Sequence, residues 1–197
     1  ELGAAAGGPG DPGGGGEGVS DRRSVIERPV VLFERPGSRC TAGVEGAVRR
    51  RLEGDGPSHL VIASISGSTA LRLARALARP QLSIVCVTGP PVWDIYNYES
   101  PRPKAAIRGE LERLGVAVVD RTPSSFGDTV DYSAARFGGI PASWPVAETL
   151  VAIGGYGLKT AVEATRMATD AGAVPPFTEV LAVAGTDRGA DTAAIVV

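Results

Sequence analysis

The amino-acid sequence predicts an α/β fold, a three-layer α/β/α sandwich built around a mostly parallel sheet. Short apolar runs, several of them β-branched, alternate along the chain with amphipathic segments. In the clearest unit, an apolar run from His59 is followed by a turn of small residues and then by Ala70, Leu73, Ala74 and Leu77 on one helix face. Strands that lead into helices through short links indicate a parallel sheet with right-handed crossovers.

The start of the chain is not expected to join this fold. Residues 1–22 are rich in Gly and Pro and hold almost nothing bulky, so burial cannot offset the entropy of ordering them. We expect a disordered tail over residues 1–22 and a single domain over residues 23–197. The first predicted elements of that domain are a short strand over residues 30–33 and a helix over residues 41–53.

The remaining elements continue the alternation. Ser100 and Pro101 form an N-cap and N1 pair, which predicts a helix start. A glycine run within residues 154–157 predicts a break between two helices, and residues 121–139 are predicted to form a long loop. The predicted strands cover residues 59–63, 82–88, 116–120, 180–184 and 192–197, and the later helices cover residues 143–153 and 158–171.

Composition and charge exclude several classes of function. The chain has 197 residues with 20 basic and 22 acidic side chains, so no net field favours nucleic acid or an anionic membrane. No apolar run approaches the roughly 18 residues that span a bilayer. The two cysteines, Cys40 and Cys86, lack the spacing of a zinc site or a disulfide framework. We therefore expect a cytoplasmic protein with no nucleic acid, membrane or metal partner.

The turn over residues 64–69 is the strongest candidate for a binding site. Open amide groups and the positive end of the helix dipole attract anions at a helix N-terminus, and this turn adds several hydroxyl side chains. In parallel α/β sheets ligands bind beyond the carboxyl ends of the strands, where the loop over residues 185–191 also lies if its strand runs parallel. The turn matches neither a Walker A loop nor GxGxxG, so an ordinary helix cap is the alternative.

Two further groups bear on chemistry. The single histidine, His59, begins the central strand and so lies at the opposite edge from the turn, which leaves a serine nucleophile there without a base. Trp93, Tyr96 and Tyr98 either pad a loop against the core or form a wall on which a planar ligand stacks.

The sequence ASISGSTA at residues 63–70, followed by LRLARAL, resembles the phosphate-binding turn of the C-terminal, allosteric α/β domain of pyruvate kinase. A closer similarity is to a family of small stand-alone proteins built on that domain. This similarity extends over residues 30–197 and is carried by FERPG at 33–37, RFGG at 136–139, AVEATRMATDAGAVPP at 161–176 and EVLAVAGTDRGADTAAIVV at 179–197.

The resemblance implies a pyruvate kinase C-terminal domain-like sandwich and a ligand of the flavin mononucleotide (FMN) type, with its phosphate on residues 64–69. Kinase activity is not implied, because the catalytic barrel has no counterpart here. The histidines that family members usually carry are replaced by Gly89-Pro90-Pro91 and Ser124-Ser125-Phe126. The implied phosphate contacts are Ser64, Ser66, Gly67, Ser68, Thr69 and Ala70, and the other implied positions near the cleft are Thr88, Lys159, Glu163, Thr186, Arg188, Gly189, Asp191 and Thr192. Trp93 is added to this set as the stacking residue.

Three functions are consistent with these observations. The first is a sensor or accessory protein that binds a phosphorylated small molecule, either FMN or a related nucleotide or sugar phosphate. The second is a small flavin-dependent or phosphate-ester enzyme in which the bound cofactor carries the chemistry. The third is an oligomeric scaffold that retains the fold, and the sequence leaves open whether the chain forms a homo-oligomer.

Overall fold

A computed structural model of the chain describes residues 30–90, 102–126 and 136–197, and the structural statements below concern these residues. The compact unit runs from Leu32 to Val197. The tail predicted over residues 1–22 and its boundary with the domain lie outside the described residues.

The described elements alternate between helix and strand in the predicted way. In chain order they are α1 (Thr41–Leu52), β1 (His59–Ala63), α2 (Ser68–Leu77), β2 (Ser83–Val87), α3 (Ala105–Arg113), β3 (Ala117–Val119), α4 (Ser143–Asp170), β4 (Val180–Ala184) and β5 (Thr192–Val196). One turn of 3₁₀ helix, Ser38–Cys40, precedes α1. None of the described helices combines the length and the apolar character that a membrane span requires.

The strands form one five-stranded sheet in the order β3-β2-β1-β4-β5. β1 pairs in parallel with β2 and with β4, and β2 pairs in parallel with β3. Only β5 is antiparallel to its neighbour, β4, among these strands. The predicted α/β class with a mostly parallel sheet is therefore confirmed. β2 and β3 follow β1 on one side of it, whereas β4 pairs with β1 on its other side. The strand order therefore reverses between β1 and β4, and this position is the topological switch point.

The two faces of the sheet are buried in separate cores. Leu60 of β1 packs with Val48 of α1 and Leu73 of α2, whereas the next residue, Val61, packs with Met167 of α4. Because successive strand residues point to opposite faces, helices cover both sides of the sheet. This double burial explains why the central strands are continuous apolar runs instead of alternating ones.

The helix α4 is broken near its middle. Gly154 and Gly155 have non-helical backbone angles, and Gly155 has a φ of 75° and a ψ of 179°. A positive φ favours glycine, which has no Cβ to clash with its own backbone. The break predicted from the glycine run is confirmed, and the α4 residues in the two cores on this face come from the part after the break.

Two predictions about local structure are wrong. Residues 30–33 form no strand, because no strand of the sheet pairs with them, and β propensity alone does not create one. The helix predicted to begin at Pro101 begins at Ala105, with Lys104 as its N-cap. Pro103 accounts for part of the delay, because a proline disfavours helical angles in the residue before it, here Arg102. Lys104 is also non-helical, with a ψ of 151°. Ser100 and Pro101 themselves lie outside the described residues.

We predict that Gly157→Ala destabilises the fold by about 1–3 kcal/mol, the usual cost of overpacking. A Cβ at this position would overlap Thr192 Oγ1 and lie 2.7 Å from Asp191 Oδ1. Chemical denaturation measures the effect. Gly109→Ala in α3 is the matched control, since open space surrounds it, and should stabilise by about 0.5–1 kcal/mol. A Gly157→Ala protein as stable as the wild type would contradict the close packing of α4 on the β4–β5 turn.

Candidate functional site

Four loops meet at the edge formed by the carboxyl ends of the parallel strands. They follow β1, β2, β3 and β4 and begin at residues 64, 88, 120 and 185. Because β1 and β4 pair in parallel, the turn over residues 64–69 and the loop over residues 185–191 leave the sheet side by side. The arrangement expected at this edge from the sequence is confirmed. His59 starts β1 and therefore lies at the opposite edge, as predicted.

The turn after β1 is held by its own first residue. The amide of Ser64 donates to the Val87 carbonyl at 2.8 Å and so continues the pairing of β1 with β2. The buried Ser64 Oγ accepts the amide of Ala70 at 3.3 Å and thereby caps the first turn of α2. The Ser64 side chain is thus used by the fold itself.

The outer part of the turn presents polar groups to solvent. Ser66 and Ser68 are exposed, and Ser66 Oγ donates to Ser68 Oγ at 3.0 Å. Ser66 Oγ also accepts the Ser68 amide at 3.4 Å. Thr69 is half-buried at the second position of α2, where the helix supplies no intrahelical partner for an amide.

Gly67, the N-cap of α2, is required by packing against α3. Its φ is 76°, and a Cβ would lie 2.8 Å from Ile107 Cγ2 and 3.1 Å from Pro103. The missing side chain therefore admits the start of α3. This contact also brings the residues that flank Pro103 and Ile107 close to the candidate turn.

Two arginines that the sequence reasoning missed lie at the start of α3. Arg102 Nη1 donates to the Asp120 carbonyl at 2.6 Å, and Arg108 forms an ion pair with the Asp120 carboxylate. Burial raises the pKa of Cys86 to about 12, and the positive charge of Arg108 acts in the opposite direction. The Cys86 thiol donates to the Ser64 carbonyl at 3.6 Å, at the first residue of the turn. No local motif marks these arginines, because only the sheet topology brings α3 beside α2.

The loop after β4 is organised by a buried carboxylate. Asp191, which is 9% exposed, accepts the amides of Gly37 and Thr186 on Oδ2 at 2.9 and 3.0 Å. Its Oδ1 accepts the Thr192 hydroxyl at 2.9 Å. Gly157, just after the break in α4, packs against this carboxylate. Both carboxylate oxygens of Asp191 are therefore engaged by the protein.

A second buried carboxylate, Glu163 of α4, holds the loop after β3. Its Oε1 accepts the Ser124 hydroxyl and, at 3.2 Å, the Phe126 amide. Its Oε2 accepts Lys159 Nζ at 2.6 Å, and this ammonium group lies 5.9 Å from the centre of the Phe126 ring. Buried charges need such partners. The cluster therefore fastens the loop after β3 to α4.

The residues that the resemblance implied as contacts fall into two groups. Those buried or engaged within the fold are Ser64, Gly67, Ala70, Thr88, Glu163, Gly189, Asp191 and Thr192. Those with side chains that reach solvent are Ser66, Ser68, Thr69, Thr186 and Arg188. Lys159 is half-buried and belongs to both groups, because its ammonium group pairs with Glu163. Trp93, Tyr96 and Tyr98 lie outside the described residues. Within the described ranges, no group of three His, Cys, Asp or Glu side chains is arranged to hold a metal ion.

A scan against models of protein families finds none that matches this chain. The similarity to the pyruvate kinase C-terminal domain remains a prediction from the sequence segments named above.

We predict that Asp191→Asn lowers the free energy of unfolding by about 1–3 kcal/mol, the cost of losing hydrogen bonds to a charged acceptor. The NH₂ group of the asparagine would point at an N–H or O–H group that now donates a hydrogen bond to the Asp191 carboxylate, and two donors cannot bond to each other. Thermal and chemical unfolding measure the loss. Asp187→Asn is the control, because Asp187 is exposed in the same loop and should leave stability unchanged. If the two variants were equally stable, the hydrogen bonds to Asp191 would not be what stabilises the loop after β4.

Proposed function

We propose that this protein binds a phosphorylated small molecule, FMN or a related nucleotide or sugar phosphate, as a sensor or accessory protein. The phosphate rests on the turn over residues 64–69. The observation that carries the proposal is the position of this turn: it leaves β1 at the topological switch point and ends in the N-terminus of α2, with exposed hydroxyl groups beside it.

The donors of the turn support a phosphate. The hydroxyl groups of Ser66 and Ser68 form a hydrogen bond with each other. Each hydroxyl can rotate so that its proton points at an oxygen of a bound phosphate. The dipole of α2 adds a partial positive charge at the same point. The Ala70 amide is already capped by Ser64, so these two residues support the turn and not the ligand.

The charges beside the turn support an anionic ligand. Arg102 and Arg108 are held at the start of α3 by Asp120, and α3 packs directly on Gly67. Asp120 and Glu112 balance their charge, since Glu112 Oε1 lies 3.8 Å from Arg108 Nη1. The Arg108 side chain is 32% exposed, so its guanidinium group can still offer an N–H donor to an anion beside the turn.

The choice of FMN comes from the resemblance. The described residues support only the binding of its phosphate group. A bound flavin would supply electron transfer, while the chain itself holds and orients the phosphate. The enzymatic alternative depends on Trp93, Tyr96 and Tyr98, the candidate residues for the ring, which lie outside the described residues. The single histidine lies at the opposite edge of the sheet. Binding is therefore the function that the site supports best.

We predict that Ser66→Asp weakens the binding of FMN about tenfold or more, because a carboxylate would face the phosphate at close range. Asp also accepts an amide at a helix N-terminus, so α2 keeps its cap and the fold is preserved. Isothermal titration calorimetry with FMN, and separately with inorganic phosphate, measures the affinities. Replacement of Gly67 would be a poorer test, since a side chain at this position would also disturb the packing of α3.

The matched control is Ser58→Asp, which adds the same charge in an exposed loop at the opposite edge of the sheet. Its affinity for FMN should equal that of the wild type. Absence of any binding by the wild-type protein, or equal weakening in both variants, would contradict the proposal.

A further inference from the structure

An apolar stripe runs along the part of α4 that precedes its break. The α4 stripe consists of the N-cap residue Ala142 and of Val146, Thr149 and Ile153, all of them exposed. Val146 is 49% and Ile153 73% exposed. The described residues do not cover this stripe, although the part of α4 beyond the break packs on the sheet.

The spacing of the α4 stripe is that of a helix–helix seam. Its members follow one another at intervals of four, three and four residues, the repeat of the a and d positions in a coiled coil. An exposed helix face is normally polar. Here Glu148 is the only charged residue between positions 137 and 157, and it lies beside the seam at a position that points away from a partner helix.

We propose that the α4 stripe is the interface through which two copies of this chain associate, with their α4 helices antiparallel about a two-fold axis. The intervals four, three and four read the same in both directions, so the stripe can pair with itself. In that pairing Ala142 lies opposite the partner's Ile153, a small residue against a large one. Val146 lies opposite the partner's Thr149.

Charge and hydrogen bonding favour a second copy as the occupant. A charged partner would find no counter-charge along the stripe, whereas a second copy brings an uncharged surface, and its Glu148 lies outside the contact. The Thr149 hydroxyl already donates to the Pro145 carbonyl at 2.6 Å. Its methyl group can therefore be buried without the cost of an unsatisfied polar atom.

The length of the stripe sets the strength of the association. Eleven helical residues extend about 16 Å, so the contact is smaller than the roughly 1,200–2,000 Å² of a stable interface. We expect a reversible dimer whose population rises with concentration. A symmetric pairing of one patch with itself closes after two copies.

Sedimentation equilibrium of the full chain over a range of concentrations tests this proposal. The wild-type mass should rise from the 20.1 kDa of one chain towards twice that value. Ile153→Asp and Val146→Asp should both remain monomeric. The control is Phe177→Asp, since Phe177 is 96% exposed on the turn after α4 and lies outside the stripe. It should dimerise like the wild type.

Oxidative cross-linking tests the orientation of the helices. The Ala142→Cys, Ile153→Cys double variant should form covalent dimers, whereas Ile153→Cys alone should form far fewer, because antiparallel pairing separates the two Ile153 positions by about 16 Å. The native Cys40 and Cys86 are buried. A wild-type protein that stays monomeric at every concentration, grows beyond a dimer, or dimerises despite Ile153→Asp would overturn the proposal, as would equal cross-linking of the single and double variants.

Discussion

The hydrogen bonds to the Asp191 carboxylate are the interaction on which the candidate binding edge of the sheet depends. They join the segment before α1, the turn between β4 and β5, and the first residue of β5. The part of α4 that follows its break packs against the same carboxylate through Gly157. A buried carboxylate is tolerated only when its acceptors are satisfied, so these segments must be ordered together.

This arrangement makes the two sides of the switch point chemically different. On the β4 side, Asp191 supplies an internal anion that takes up the donors of the loop. On the β1 side, the turn before α2 keeps the hydroxyl groups of Ser66 and Ser68 at the surface, and arginines lie beside it at the start of α3. A second carboxylate, Glu163, fastens the loop after β3. The proposed phosphate site is therefore the open side of an edge whose other loops are held by the protein.

The features that could be predicted from the sequence are those with local causes. The unit from β1 to α2 follows from an apolar run and a helical repeat within about twenty residues, and the break in α4 follows from Gly154 and Gly155. Residues 30–33 were wrongly predicted as a strand because propensity does not reveal whether a neighbouring strand is available. The Ser100-Pro101 cap signal predicted a helix start at residue 101, whereas α3 begins at Ala105, two residues after Pro103.

The contacts that shape the candidate site were out of reach of sequence patterns because they join distant residues. Gly37 and Asp191, which share a hydrogen bond, are separated by 154 positions in the chain. The need for glycine at position 67 arises from its positive φ and from Ile107, forty residues later. Such pairs leave no periodicity or motif, and only the fold brings them together.

We propose that the turn between β1 and α2 receives the phosphate of the ligand. The most direct test is an amide ¹H–¹⁵N chemical-shift titration with FMN, followed by one with inorganic phosphate. If the phosphate binds there, the largest shifts in both titrations fall on the amides of residues 66–69, at the N-terminus of α2. Shifts that cluster at the β4–β5 loop, or no shifts with either ligand, would contradict it.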